Sequence, residues 1–80
     1  MRLDKFLKVS RLIKRRTVAN EACDAQKVLV NGRPAKAGYD VKVGDVLEMH
    51  FGQRVFRAEV LDLNEHVSKA DAGTMYKELV

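Results

Sequence analysis

Eighty residues, 46% hydrophobic and 32% charged, make one small folded domain, with no room for a catalytic domain beside a binding one and too much apolar content for a disordered chain. The net charge of +4 is unevenly placed: residues 1–36 hold ten Lys or Arg and three Asp or Glu, net +7, whereas residues 37–80 hold five and eight, net −3. Such asymmetry points one face at a polyanion and argues against an evenly mixed, merely solubilising surface.

A single cysteine, Cys23, has no internal disulfide partner, so a reducing, cytoplasmic setting is expected. No long apolar run follows the basic N-terminal stretch, so neither a signal peptide nor a membrane span is expected.

The first seventeen residues, MRLDKFLKVSRLIKRRT, carry Arg2, Lys5, Lys8, Arg11, Lys14, Arg15 and Arg16 against one acid, Asp4, net +6. On a helical wheel Leu3, Phe6 and Leu7 share one side, with Arg2, Lys5 and Lys8 roughly opposite: an amphipathic helix with a basic outer stripe. Continued unbroken, it would carry Lys14 onto the apolar side and Leu12 among the cations. The helix is therefore expected to end or bend near Ser10 to Leu12, with Leu12–Arg16 a basic connector. Asp4 is spaced to pair with Lys8.

Thr17 is placed to cap a second helix through its hydroxyl, with Val18, Ala22 and Ala25 on one face. Arg15 and Arg16 precede it at the positive end of its dipole, where each exposed cation costs about 0.3–1 kcal/mol. The same place offers unpaired backbone N–H groups to an anion, so stability and phosphate binding pull in opposite directions there.

The period changes to that of a strand at Val28-Leu29-Val30, and Asn31-Gly32 is a strong hairpin signal. The return, Arg33-Pro34-Ala35-Lys36, is restricted to an edge or bulge by Pro34. Gly44-Asp45 marks another turn. Leu47, Met49 and Phe51 alternate with Glu48 and His50, and after Gly52-Gln53 the partner strand alternates Phe56, Ala58 and Val60 with Arg57 and Glu59. The fold class expected is α+β, with two short N-terminal helices packed on a small, mainly antiparallel sheet. Residues 63–80 form a short tail, free or with a short helix near 74–80.

One Cys and two His, His50 and His66, without close-spaced ligand pairs, cannot supply a zinc tetrad. No phosphate-binding glycine loop occurs, and nothing accompanies Cys23 as a base, so no metal, no cofactor and no catalytic residue is expected; Cys23 reads as a semi-buried structural residue on the edge of the second helix. Phe6, Phe51 and Phe56 occupy core-facing positions, which favours packing over base stacking, and Tyr39 and Tyr76 remain open. A membrane-surface helix would need Leu3, Phe6 and Leu7 free, whereas so small a core needs them inside. That leaves RNA ahead of a membrane or a bare solvated face as the partner of the basic stripe. Lys27, Arg33 and Lys36, around the turn at Asn31, offer a second contact edge.

The order of these features, R-L-D-K-F-L at 2–7, a basic connector ending Arg15-Arg16-Thr17, V-x-V-N-G at 28–32 and V-x-V-G-D at 41–45, resembles the αL-type RNA-binding domain first seen in the fourth small-subunit ribosomal protein. The likeness covers residues 1–62. The extended N-terminal motif together with Ala72, Met75 and Tyr76 resembles the RqcP family of small bacterial ribosome-associated quality-control factors, relatives of Hsp15. What the resemblance implies is a non-enzymatic monomer that binds rRNA and peptidyl-tRNA on stalled, split large ribosomal subunits and assists RqcH in adding a C-terminal alanine tail. The alternatives are an Hsp15-like factor for obstructed large subunits and an RNA-binding module serving a modifying enzyme in trans. One residue departs from the pattern: Gln26 stands where the family commonly has glycine, at a cost on the order of 1 kcal/mol if the backbone there is left-handed.

Overall fold

The first apolar triplet does what its spacing requires. In the computed structural model, which describes residues 1–79, Leu3, Phe6 and Leu7 are wholly buried on the inner side of helix α1, Leu3–Val9. The two leading N–H groups of α1 have no side-chain cap. They donate instead to backbone carbonyls of the 37–39 loop, Leu3 to Tyr39 at 2.8 Å and Asp4 to Ala37 at 3.1 Å. The helix stops where expected: the Arg11 N–H turns back to the Lys8 carbonyl and that of Ile13 to Leu7, with Arg11 left-handed at φ 64°. This bend drops Ile13 into the core and leaves Lys14 in solvent.

Helix α2 spans Arg16–Asp24 and differs from expectation in two ways. Arg15 occupies the cap position and no side chain caps the helix, so Thr17 lies exposed within the first turn and is not the cap. The inward face is Ala19, Ala22 and Cys23, at i, i+3 and i+4, whereas Val18 is 44% exposed and Ala25 is exposed. The helix begins earlier than Thr17, and the smallest side chains are those that let α2 approach α1. The end of α2 keeps the left-handed geometry without glycine. Gln26 has φ 60°, with its N–H on Cys23 and that of Lys27 on Ala22 at 3.0 and 2.9 Å, a Schellman closure.

Five strands follow: β1 Val28–Val30, β2 Arg33–Pro34, β3 Val46–Phe51, β4 Arg54–Val60 and β5 Tyr76–Leu79, in the antiparallel order β2-β1-β3-β4-β5. Asn31 and Gly32, both at positive φ, turn β1 into β2, and Pro34 lies on the edge strand, where its missing N–H is harmless. Val28, Val30, Leu47, Met49 and Val60 point to the helices and close a single core with them.

Two further expectations are corrected. The segment near 74–80 is not a helix: Ala72–Met75 is one 3-10 turn and Tyr76–Leu79 is a strand on β4, with Val80 outside the described residues. The buried side chains Ala72 and Met75 anchor it, and the Phe56 and Tyr76 rings meet edge to face at 6.2 Å. Phe51 shares the parity of Leu47 and Met49 yet is 41% exposed, because it ends β3 beside the Gly52 turn and is left uncovered there.

Candidate nucleic-acid interface

Asp4 organises the basic N-terminal region. It does not pair with Lys8; it is 2% exposed and receives five polar contacts. Arg2 Nε donates to Oδ1 at 3.2 Å and the Lys5 backbone N–H at 2.8 Å; Arg16 reaches Oδ1 through Nη2 at 3.4 Å and Oδ2 through Nε at 3.3 Å; Asn20 Nδ2 lies 3.4 Å from Oδ2. Burial alone would raise the carboxyl's pKa. The hydrogen bonds from Arg2, Arg16, Asn20 and the Lys5 backbone outweigh it and hold the group at about 2, ionised at any physiological pH.

This arrangement revises the dipole argument. Arg16, in the first turn of α2, is paired with Asp4, whereas Arg15 at the positive helix end has no carboxylate partner among the described residues. Arg2 and Arg16 remain about half exposed beyond their shared carboxylate, at 54% and 48% of the side chain, so each guanidinium keeps N–H groups facing solvent. Arg2 also lies over Gly38, whose position would bring a Cβ to 3.7 Å from a guanidinium nitrogen.

The other cations divide into paired and unpaired. Lys5 Nζ is held by Glu65 at 3.0 Å, so the stripe of Arg2, Lys5 and Lys8 is interrupted in its middle. Lys8, Arg11, Lys14 and Arg15 are exposed, with no carboxylate partner within 4 Å among the described residues. They follow the end of α1, the connector and the start of α2, in the same N-terminal stretch as the Arg2–Asp4–Arg16 cluster.

Around the Asn31 turn the predicted residues separate. Arg33 and Lys36 line one hollow with Pro34 and Tyr39, whereas Lys27 faces α2 and Phe51. The Asn31 side chain is committed to the fold: Nδ2 donates to Asp45 at 3.1 Å and Oδ1 accepts the Val46 N–H at 3.0 Å, clasping two turns together. Cys23 is more deeply buried than its edge position suggested, at 2% exposure, and burial, with the charges of Asp4 and Asp24, pushes its thiol up to about 11. No cluster of three or more metal-ligating side chains occurs among the described residues, and none of their helices is long and apolar enough to cross a membrane.

Sequence reasoning missed Asp4 as an organiser because two of its partners come from another helix: Arg16 and Asn20 lie twelve and sixteen residues away. The signal was present in its uniqueness, one acid among seven cations.

Comparison with known proteins agrees with this architecture. The family model described as the S4 domain matches residues 1–47. Over 77 residues the chain is 54% identical to a Halalkalibacterium halodurans protein named RQC P-site tRNA stabilizing factor, covering 96% of this chain and 88% of that one. Among solved structures it superimposes on Vibrio cholerae Heat Shock Protein 15, described as trimeric, with a TM-score of 0.90 at 26% identity, covering 99% of this chain and 81% of that one. It also matches the solution structure of the hypothetical protein HP1423, with a TM-score of 0.84 at 32% identity and coverage of 100% and 98%. Two helices joined by a basic bend, set on a short antiparallel sheet and continuous in sequence with these relatives, mark this chain as a member of the S4 domain family, in its branch of RQC P-site tRNA stabilizing factors.

Proposed function

We propose that this chain is a non-enzymatic, cytoplasmic RNA-binding factor of ribosome-associated quality control. It grips rRNA of the large ribosomal subunit and the P-site peptidyl-tRNA on stalled, split subunits, acts as a monomer whose core closes within one chain, and assists RqcH in alanine tailing. The observation that carries this reading is the pair of arginines held on buried Asp4, with four further exposed cations that have no carboxylate partner among the described residues, in a chain half identical to proteins whose name states P-site tRNA stabilisation.

The roles follow from side-chain chemistry. Arg2 and Arg16, oriented by Asp4, present planar N–H edges suited to bidentate phosphate contact; Lys8 and Lys14 act as point charges; Arg11 and Arg15 extend the grip along the connector. Lys5 contributes once Glu65 is displaced. Arg33 and Lys36 form the second edge, with Asn31 setting the turn that displays it, and Lys27 contributes from the separate surface beside α2 and Phe51. A rigid surface of this size reads the shape of structured RNA and not a base sequence.

With about six phosphates neutralised, log K for RNA falls against log salt with a slope of roughly −4 to −5. The test is co-sedimentation with peptidyl-tRNA-bearing large subunits across a salt series, for the wild type and an Arg15→Glu, Arg16→Glu variant. Salt-sensitive co-migration lost in the variant supports the proposal. Persistence of the wild type at the top of the gradient, or a slope near zero, overturns it, and capture of an RNA-modifying enzyme without ribosomal subunits favours a module acting in trans.

A further inference from the structure

Phe51 is a large aromatic side chain that the core does not use. It stands between two hollows, one lined by Leu12, Met49, Arg54 and Phe56 and the other by Val18, Glu21, Ala22, Ala25 and Lys27. The ring is 41% exposed and Val18 beside it 44%. Arg54 is its cross-strand partner in register, and the hydrogen bond from the His50 N–H to the Lys27 carbonyl, 2.8 Å, fixes the backbone of Lys27 against the end of β3. Leu12 belongs to the connector and Val18 to the first turn of α2, so this surface draws on the same elements that bear Arg11, Lys14 and Arg15.

We infer that Phe51 is a stacking platform for an unpaired nucleobase of the bound RNA, with Lys27 and Arg54 taking the flanking phosphates. This rests on the RNA-binding reading and deepens it. The chemistry that fits a part-exposed aromatic ring bordered by cations is a ligand with a flat π-surface and negative charge on either side, which is a nucleotide out of its helix. An acidic protein segment would meet the same cations, but the shelf is a single ring between two separate hollows, suited to one planar group and too discontinuous for the apolar face of a helix. Neither Lys27 nor Arg54 has a carboxylate partner within 4 Å among the described residues, so both charges are available.

The test uses the full chain with two RNA probes, a fully paired hairpin and the same hairpin carrying one bulged 2-aminopurine, with wild type, Phe51→Tyr and Phe51→Leu. Stacking predicts that the bulged probe binds the wild type and Phe51→Tyr roughly tenfold more tightly than Phe51→Leu, with quenching of the 2-aminopurine fluorescence, while the paired probe does not distinguish the three and the salt slope is unchanged. Equal affinity of wild type and Phe51→Leu for the bulged probe, with binding otherwise intact, overturns the stacking platform and leaves the RNA-binding reading standing. Failure of the wild type to bind either probe overturns both. Thermal unfolding of each variant separates a folding defect, which lowers affinity for both probes, from loss of the platform, which lowers it for one.

Discussion

Replacing Asp4 with asparagine preserves the shape of the side chain and removes the charge on which Arg2 and Arg16 converge. Its carboxyl is held at about 2 against an ordinary 3.8, a gap equivalent to roughly 2 kcal/mol of native-state stabilisation at neutral pH. A larger loss, of the kind seen when a buried pair is broken, is not expected, because the abandoned partners are half exposed and regain water: 54% for Arg2 and 48% for Arg16. The sign follows from the direction of the shift. A depressed carboxyl stabilises the fold above its unfolded pKa and loses that contribution as pH falls through its folded value, so wild type and variant diverge at neutral pH and converge between about pH 5 and pH 2. Asp40, Glu48 and Glu65 are also lowered, by the N-terminal amine, by His50 with Arg57, and by Lys5, so the difference between the two proteins isolates Asp4. Urea unfolding across this pH range is the assay. A variant as stable as wild type at neutral pH, or a gap that does not close on acidification, refutes the reasoning.

The two arginines at the start of α2 separate in the same assay. Arg15→Glu places an acid at the positive helix end and raises stability by about 0.3–1 kcal/mol, whereas Arg16→Glu sets a like charge against Asp4 and lowers it by about 1 kcal/mol or more; both weaken RNA binding. Gln26→Gly relieves a left-handed residue whose side chain lies in solvent, and should raise the urea midpoint by about 0.5–1 kcal/mol in free energy without changing RNA affinity. Cys23, buried and raised to about 11, should react with a thiol reagent only at a rate proportional to the unfolded population, and a rapid reaction in the absence of denaturant would contradict its burial.

Those elements with a strong local signal were legible in the sequence. The Leu3, Phe6, Leu7 face, the break near Ser10, the Asn31-Gly32 turn and the alternation of β3 and β4 all depend on residues close in sequence, and the structure shows each of them. What escaped was set by distant contacts. The inward face of α2 depends on which of its small residues α1 admits, and β5 forms because a strand edge is available on β4 and Met75 fills the core beneath it, neither of which residues 63–80 announce by period. Phe51 has the correct parity for burial, but parity does not say where the helices stop covering the sheet. The cations were visible from composition; their division into paired and unpaired required the positions of Asp4 and Glu65.

That division bears on how the proposed interface would work. A bare cluster of seven cations would repel itself and leave long side chains disordered, so binding would have to order each of them, at about 0.5–1.5 kcal/mol apiece. Asp4 changes this for two: Arg2, Arg16 and Asp4 together carry a net charge of only +1, yet both guanidinium planes are fixed before RNA arrives. The trio therefore contributes orientation more than charge, while Lys8, Arg11, Lys14 and Arg15 contribute charge more than orientation. The two functions respond differently to salt, because screening weakens phosphate contacts of all the exposed cations but hardly touches the contacts with the buried carboxylate that orient Arg2 and Arg16. Removing exposed cations of the connector should flatten the salt slope, and Asp4→Asn should leave the slope nearly unchanged while reducing discrimination between differently shaped RNAs.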